Sequence, residues 1–192
     1  DGFRQLGKAD VLLWLLVVWG CITDKWRATI VAVAALILVS LCVCPLKAAV
    51  RRARPCQSHP SFSSQEPEIP WHKRVSFPSG DTAVAFATAT VLSRSWRRVW
   101  TPPLFVAAAA VGLLRITTSQ HYPSDVLAGA TIGVFCGLFA LQWVTRRWPL
   151  DRFRMPGHWR LAAGLLLVLV LPFVSPFLGM KSLQIFTRVY LL

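Results

Sequence analysis

The feature that most constrains this chain is a series of uncharged apolar runs: Val11–Thr23, Ala28–Leu46, Thr82–Leu92, Pro102–Leu114, Val126–Thr145 and Leu161–Met180. A helix needs about 20 apolar residues to cross a hydrocarbon core, so the runs predict an all-α integral membrane bundle of six transmembrane helices. Only 15% of the 192 residues are charged, whereas a soluble domain carries about a quarter. An ordinary soluble domain is excluded. Six spans also consume most of the length, which leaves one domain, residues 1–192, and no separate soluble module. The net charge of +13 would point to nucleic acid in a soluble protein. Here the basic residues sit between apolar runs, where phosphates and anionic headgroups are the natural partners and nucleic acid is not. Cys21, Cys42, Cys44 and Cys136 lie inside apolar runs and Cys56 in a loop, a pattern of packing residues with neither a disulfide framework nor a zinc spacing.

The third run, Thr82-Ala-Val-Ala-Phe-Ala-Thr-Ala-Thr, is rich in small residues and so is expected inside the bundle, where backbones approach closely. The one long connection, Arg51 to Gly80, contains Pro55, Pro60, Pro67, Pro70 and Pro78 and reads as a loop. No internal repeat is visible, and no small-residue cleavage site follows the first run. With six spans, one side of the membrane collects Lys25, Arg27, Arg94, Arg97, Arg98, Arg146, Arg147, Arg152, Arg154 and Arg160 against only Asp24 and Asp151. Positive-inside bias puts these short loops in the cytoplasm, and Trp26, Trp96, Trp100, Trp148 and Trp159 flank them as an interfacial belt would. The long loop then faces outward.

Three polar clusters fall on that outer side: Lys47-Ala-Ala-Val-Arg-Arg-Ala-Arg54-Pro55, Phe77-Pro78-Ser79-Gly80-Asp81-Thr82, and Arg115-Ile-Thr-Thr-Ser-Gln-His121-Tyr-Pro-Ser-Asp125. Lys47, Arg54 and Arg115 are cations near membrane depth, each costing roughly 2.5–3.5 kcal/mol if unpaired at a helix centre. Asp81 and Asp125 are too few to balance them together with Arg51 and Arg52. The deficit calls for a bound phosphate, which Arg forks and a Lys point charge suit. Ser79-Gly80 at a helix start adds backbone N–H groups and the positive end of a helix dipole. Pro123 opens the next helix, so His121 sits just outside it and Asp125 in its first turn, spaced for the carboxylate to hold an imidazole N–H. The other ring nitrogen is then left to attack phosphorus.

Lys47-x6-Arg54-Pro55, Pro78-Ser79-Gly80-Asp81 and Arg115-x5-His121-x3-Asp125 together resemble the three-part signature of the type 2 phosphatidic acid phosphatase (PAP2) family of membrane lipid phosphatases, KxxxxxxRP, PSGH and SRxxxxxHxxxD. The resemblance runs from Lys47 to Asp125 with spacings intact. It implies a PAP2-like six-helix bundle and a metal-independent site without cofactor. In that site His121 is the nucleophile, Asp125 its orienting partner, and Lys47, Arg54, Ser79, Gly80 and Arg115 the phosphate ligands. It further implies a multi-pass protein of the bacterial inner membrane whose site faces the periplasm or exterior. The expected substrate is a lipid phosphate or diphosphate, with polyprenyl diphosphate favoured. A lipid phosphotransferase and a catalytically weak lipid-phosphate binder are the alternatives, and the oligomeric state is left open.

Two positions depart from the signature. Leu114 replaces its Ser, and Asp81 replaces the His that protonates the leaving oxygen. A carboxylate among cations keeps its charge near neutral pH and donates protons poorly, so the exchange favours either a phosphate leaving group over an alkoxide or activity at acidic pH. Asp81 either serves as the acid, with His59 and His72 as substitutes, or caps its helix. Arg51 and Arg52 read as a juxtamembrane headgroup-binding pair, and the Arg146–Arg154 run as topological. Lys73 and Arg74 either widen an anionic pocket or solubilise the loop. Phe62, Ile69, Trp71 and Phe77 either seat a lipid chain or anchor the loop.

Overall fold

The structure, a computed structural model, describes residues 25–58 and 74–147. The predicted first and sixth spans lie outside these residues, as do His59, Phe62, Ile69, Trp71, His72 and Lys73. Among the described residues the chain forms four α-helices: α1 (Trp26–Val50), α2 (Gly80–Ser95), α3 (Thr101–Thr117) and α4 (Pro123–Arg147). Short 3₁₀ turns cover Pro55–Ser58 and Arg98–Trp100. Each helix overruns its apolar run by a few residues because polar end residues are still good helix formers. Lys47-Ala-Ala extends α1 to Val50, and Pro123, whose missing N–H costs nothing at a first helical position, opens α4.

Three stretches, Arg27–Val50, Arg98–Thr117 and Pro123–Arg147, are long and apolar enough to cross a membrane. α2 is shorter, at 16 residues, and occupies the centre, packed against α1, α3 and α4. Val31, Val39 and Val43 of α1 meet Val84 and Val91 of α2 and Val144 of α4 in one core. The closest approach is between α2 and α4, along Gly129, Gly133 and Gly137 at helical spacing. A Cβ at Gly129 would lie 2.4 Å from the Ser79 carbonyl oxygen, and one at Gly133 2.3 Å from that of Ala83. Small residues therefore let the two backbones touch, which fixes the register of the helices that carry the site. Several hydroxyls within the spans bond to their own helix, as with Ser40 to the Leu36 carbonyl (3.0 Å) and Thr90 to that of Phe86 (2.8 Å), which meets their polar demand without water.

Consecutive helices run antiparallel. The end of α1, the start of α2, the end of α3 and the start of α4 share one face of the bundle. At the opposite end Lys25, Arg27, Arg94 and Thr145 line a cavity of about 480 Å³. The basic loop residues and the polar motifs thus stand at opposite ends of the described bundle.

Candidate active site

The loop leaving α1 is fastened before it can wander. Arg51 turns the chain through a left-handed conformation (φ 49°), and its N–H caps the helix on the Lys47 carbonyl at 3.2 Å. Arg52 then accepts the Ser76 N–H at 2.7 Å on its own carbonyl, and Ala53 and Val75 form an antiparallel bridge. Lys47 Nζ donates to the Val75 carbonyl at 3.3 Å. The first and second motifs are therefore joined through the backbone.

The second motif enters α2 through a cis Phe77–Pro78 bond. The Ser79 N–H donates to the Asp125 carbonyl at 3.0 Å, and its own carbonyl accepts the first intrahelical bond, from Ala83. The amides of Gly80, Asp81 and Thr82 precede that bond and form the helix's electropositive start. The Ser79 hydroxyl is paired with that of Thr82 at 2.8 Å.

The third motif closes the site. Arg115, buried in the last turn of α3, places Nε 3.1 Å from Asp81 Oδ2. Its carbonyl accepts the N–H groups of Gln120 and His121 at 3.0 and 3.2 Å, which folds the α3–α4 connection back over the site. Arg54 Nη1 is hydrogen-bonded to Gln120 Oε1. His121 is only 4% exposed, and its Nδ1 lies 2.6 Å from the Ser76 carbonyl oxygen. A carbonyl only accepts, so Nδ1 carries the proton and Nε2 the lone pair. Burial first, then the nearby Arg54 and Lys47, hold the imidazole pKa down at about 4, against the pull of the Ser76 carbonyl and Asp125. The ring is neutral at physiological pH.

Asp125, with no solvent exposure, does not hold the imidazole N–H as the spacing predicts. Its Oδ2 is 3.8 Å from His121 Nδ1 and instead accepts the Tyr122 N–H at 2.8 Å. Its Oδ1 pairs with Arg52 Nη1 at 3.0 Å. The expectation for Arg51 and Arg52 as a headgroup pair divides accordingly. Arg51 is exposed and bonds the Ala48 carbonyl, whereas Arg52 turns inward. Asp81 does not cap α2 either: Ser79 holds the N-cap position without a side-chain bond, and the Asp81 carboxylate faces Arg115. The guanidinium charge 3.1 Å away draws the carboxylate across toward α3. Sequence reading missed Ser76 and Gln120; Ser76 acts through its carbonyl, which no residue type advertises, while Gln120 lies inside the third motif at an unspecified position.

The site thus gathers Lys47, Arg54, Arg115, Asp81, His121 and Asp125 around the start of α2, from segments far apart in sequence. The Rhizobium johnstonii lipid A 1-phosphatase is 35% identical over 124 residues, 62% of this chain and 49% of that protein. A Mycobacterium tuberculosis decaprenylphosphoryl-5-phosphoribose phosphatase is 28% identical over 138 residues, 71% of this chain and 73% of its own. The crystal structure of Aquifex aeolicus LpxE superposes with a TM-score of 0.62 at 34% identity, covering 73% of this chain and 81% of that one. The chain spans about half the length of the Rhizobium relative, and 15% and 31% of two others. The family model of the PAP2 superfamily matches residues 28–149, which takes in all three motifs and the four helices except the first two residues of α1: the chain belongs to the PAP2 superfamily.

Proposed function

We propose that the chain is a metal-independent membrane lipid phosphatase that works through a phosphohistidine. The observation that carries this reading is the His121 hydrogen bond to the Ser76 carbonyl, which leaves a neutral ring with its Nε2 lone pair free at pH 7. Nε2 attacks the terminal phosphorus in line as the bond to the leaving oxygen breaks. Lys47, Arg54, Arg115 and the amides at the start of α2 stabilise the charge on the equatorial oxygens. Water then cleaves the phosphorus–nitrogen bond, releasing inorganic phosphate and restoring the imidazole.

Asp81 sets the substrate preference. Its carboxylate faces Arg115 at the position where the signature has its proton-donating His, so leaving groups that depart without a proton are favoured. A lipid diphosphate, with polyprenyl diphosphate first, loses a phosphate of that kind. The bundle sits in the bacterial inner membrane with the site opposite the basic loops, toward the periplasm or exterior. The test is phosphate release by the purified protein in detergent with EDTA present, across polyprenyl diphosphate, lipid A, phosphatidic acid and phosphatidylglycerol phosphate, with His121→Ala as the blank. Release that depends on His121 and is fastest with the diphosphate supports the reading; release equal in the Ala variant overturns it.

A further inference from the structure

At the end of the bundle opposite His121, Arg94 of α2 and Arg98 of the following 3₁₀ turn line a cavity of about 730 Å³. Ligand pockets run from about 300 to 1,000 Å³. The cavity opens between α2, α3 and α4, and its far wall is apolar: Phe105 of α3 with Val134 and Leu138 of α4. Leu138 stands nine residues before the end of α4 at Arg147, about 14 Å inside it at 1.5 Å per residue. The apolar wall therefore runs into the membrane-crossing part of the bundle, while the two arginines stay at its rim. Between them Trp96 packs edge to face on Trp100, ring centroids 5.8 Å apart, a pairing suited to the headgroup layer.

The charge at the rim calls for an anion. Among the described residues the carboxylates are Asp81 and Asp125, both at the His121 end and paired with Arg115 and Arg52, and neither Arg94 nor Arg98 has an ion-pair or hydrogen-bond partner. Lys25 and Arg27, which line the adjoining cavity with Arg94, already have partners. The rest of the rim has little to offer a ligand. The Thr90 and Ser93 hydroxyls donate to carbonyls of their own helix, the Thr101 N–H is bonded to the Arg98 carbonyl, and Pro102 has no N–H. Recognition falls to the two guanidinium forks, which suit phosphate oxygens.

We infer that this cavity binds an anionic phospholipid, its phosphate held between Arg94 and Arg98 and one acyl chain lying along Phe105, Val134 and Leu138. An apolar cleft between membrane-crossing helices, headed by basic side chains, answers both ends of such a molecule. A free phosphate would leave the apolar wall empty. The site stands apart from the phosphatase reading, because it shares no residue with the three motifs.

The test is native mass spectrometry of the delipidated chain in detergent, titrated with phosphatidylglycerol or phosphatidylcholine, with unfolding temperature measured alongside. The parent should hold one phosphatidylglycerol per chain about tenfold more tightly than phosphatidylcholine. Arg94→Gln/Arg98→Gln should weaken phosphatidylglycerol by about 25-fold, at about fivefold per cation, and bring the two lipids level. Leu138→Trp, which fills the apolar wall and leaves both cations, should weaken both lipids. Arg146→Gln/Arg147→Gln removes as much charge from the same end outside the cavity and should change binding less than about twofold. An equal loss in that second pair overturns the site in favour of diffuse surface charge. Phosphatidylglycerol that survives Arg94→Gln/Arg98→Gln undiminished is held elsewhere, which also overturns it. Displacement of the lipid by inorganic phosphate, and not by chloride at equal ionic strength, makes the occupant a free anion and overturns the lipid assignment. If the Gln pair fails to fold, Leu138→Trp and the parent decide: preference for phosphatidylglycerol in the parent with loss of binding in Leu138→Trp supports the site, and no preference or no loss overturns it.

Discussion

At the scale of single residues the site is a matter of which nitrogen holds the proton. His121 has a pKa held down at about 4 by burial and by Arg54 and Lys47, below its ordinary value of about 6.5. A nucleophile with a depressed pKa is active above that pKa and lost below it. The kcat/KM profile should therefore be flat from about pH 8 down to about 5 and fall tenfold per unit below about 4; a limb centred near 6.5 would show that the ring is not held as described. The same shift has a stability sign. Between about 6.5 and 4 the unfolded chain takes up a proton on this ring that the folded one refuses, so stability falls as pH falls through that window. Asp81 invites the complementary experiment. In Asp81→His an imidazolium stands beside the leaving oxygen, and general acid catalysis is worth about 10²–10⁴-fold. Monoester turnover should rise relative to diphosphate turnover; an unchanged ratio of the two rates would remove Asp81 from any part in substrate choice.

At the scale of elements, the α2–α4 contact decides where those residues stand. Gly129→Ala pushes a methyl group toward the Ser79 carbonyl oxygen, 2.4 Å from where its Cβ must go, and Gly137→Ala presses instead on the Thr90 side chain at 2.8 Å. Overpacking of this kind costs about 1–3 kcal/mol, so both variants should unfold at lower temperature in detergent. Only Gly129→Ala displaces the start of α2, so only it should also lose kcat, by more than its loss of folded protein explains; equal activity loss in both would deny the stripe a role in placing the site. This contact also marks how far the sequence could be read. Four of the apolar runs located the four described helices because membrane burial imposes long uncharged stretches, and the small residues of α2 foretold its place at the centre. The three motifs came together because alternating helices return polar ends to one face. Hidden from sequence were the bonds made by backbone carbonyls, above all Ser76 to His121. So was the choice of Asp125 between two partners, because a spacing of four residues permits the imidazole contact and only the tertiary arrival of Arg52 decides against it.

At the scale of the whole molecule, charge asymmetry and chemistry become one question. Lys25, Arg27 and Arg94 line a cavity at the end of the bundle opposite His121, with Arg97, Arg98, Arg146 and Arg147 at the neighbouring helix ends. Basic loops are retained in the cytoplasm, so phosphate should be released on the other side. In a background with all five native cysteines replaced, Thr117→Cys places a thiol at an exposed position at the end of α3, near the site, and Val99→Cys places one at the opposite end, where the native side chain is 71% exposed. A membrane-impermeant maleimide should label Thr117→Cys in intact spheroplasts and Val99→Cys only after the membrane is opened. The reverse pattern would place the site on the cytoplasmic face, where a substrate exposed only on the outer leaflet could not reach it, and the proposed outward release of phosphate would be lost while the geometry around His121 stood unchanged.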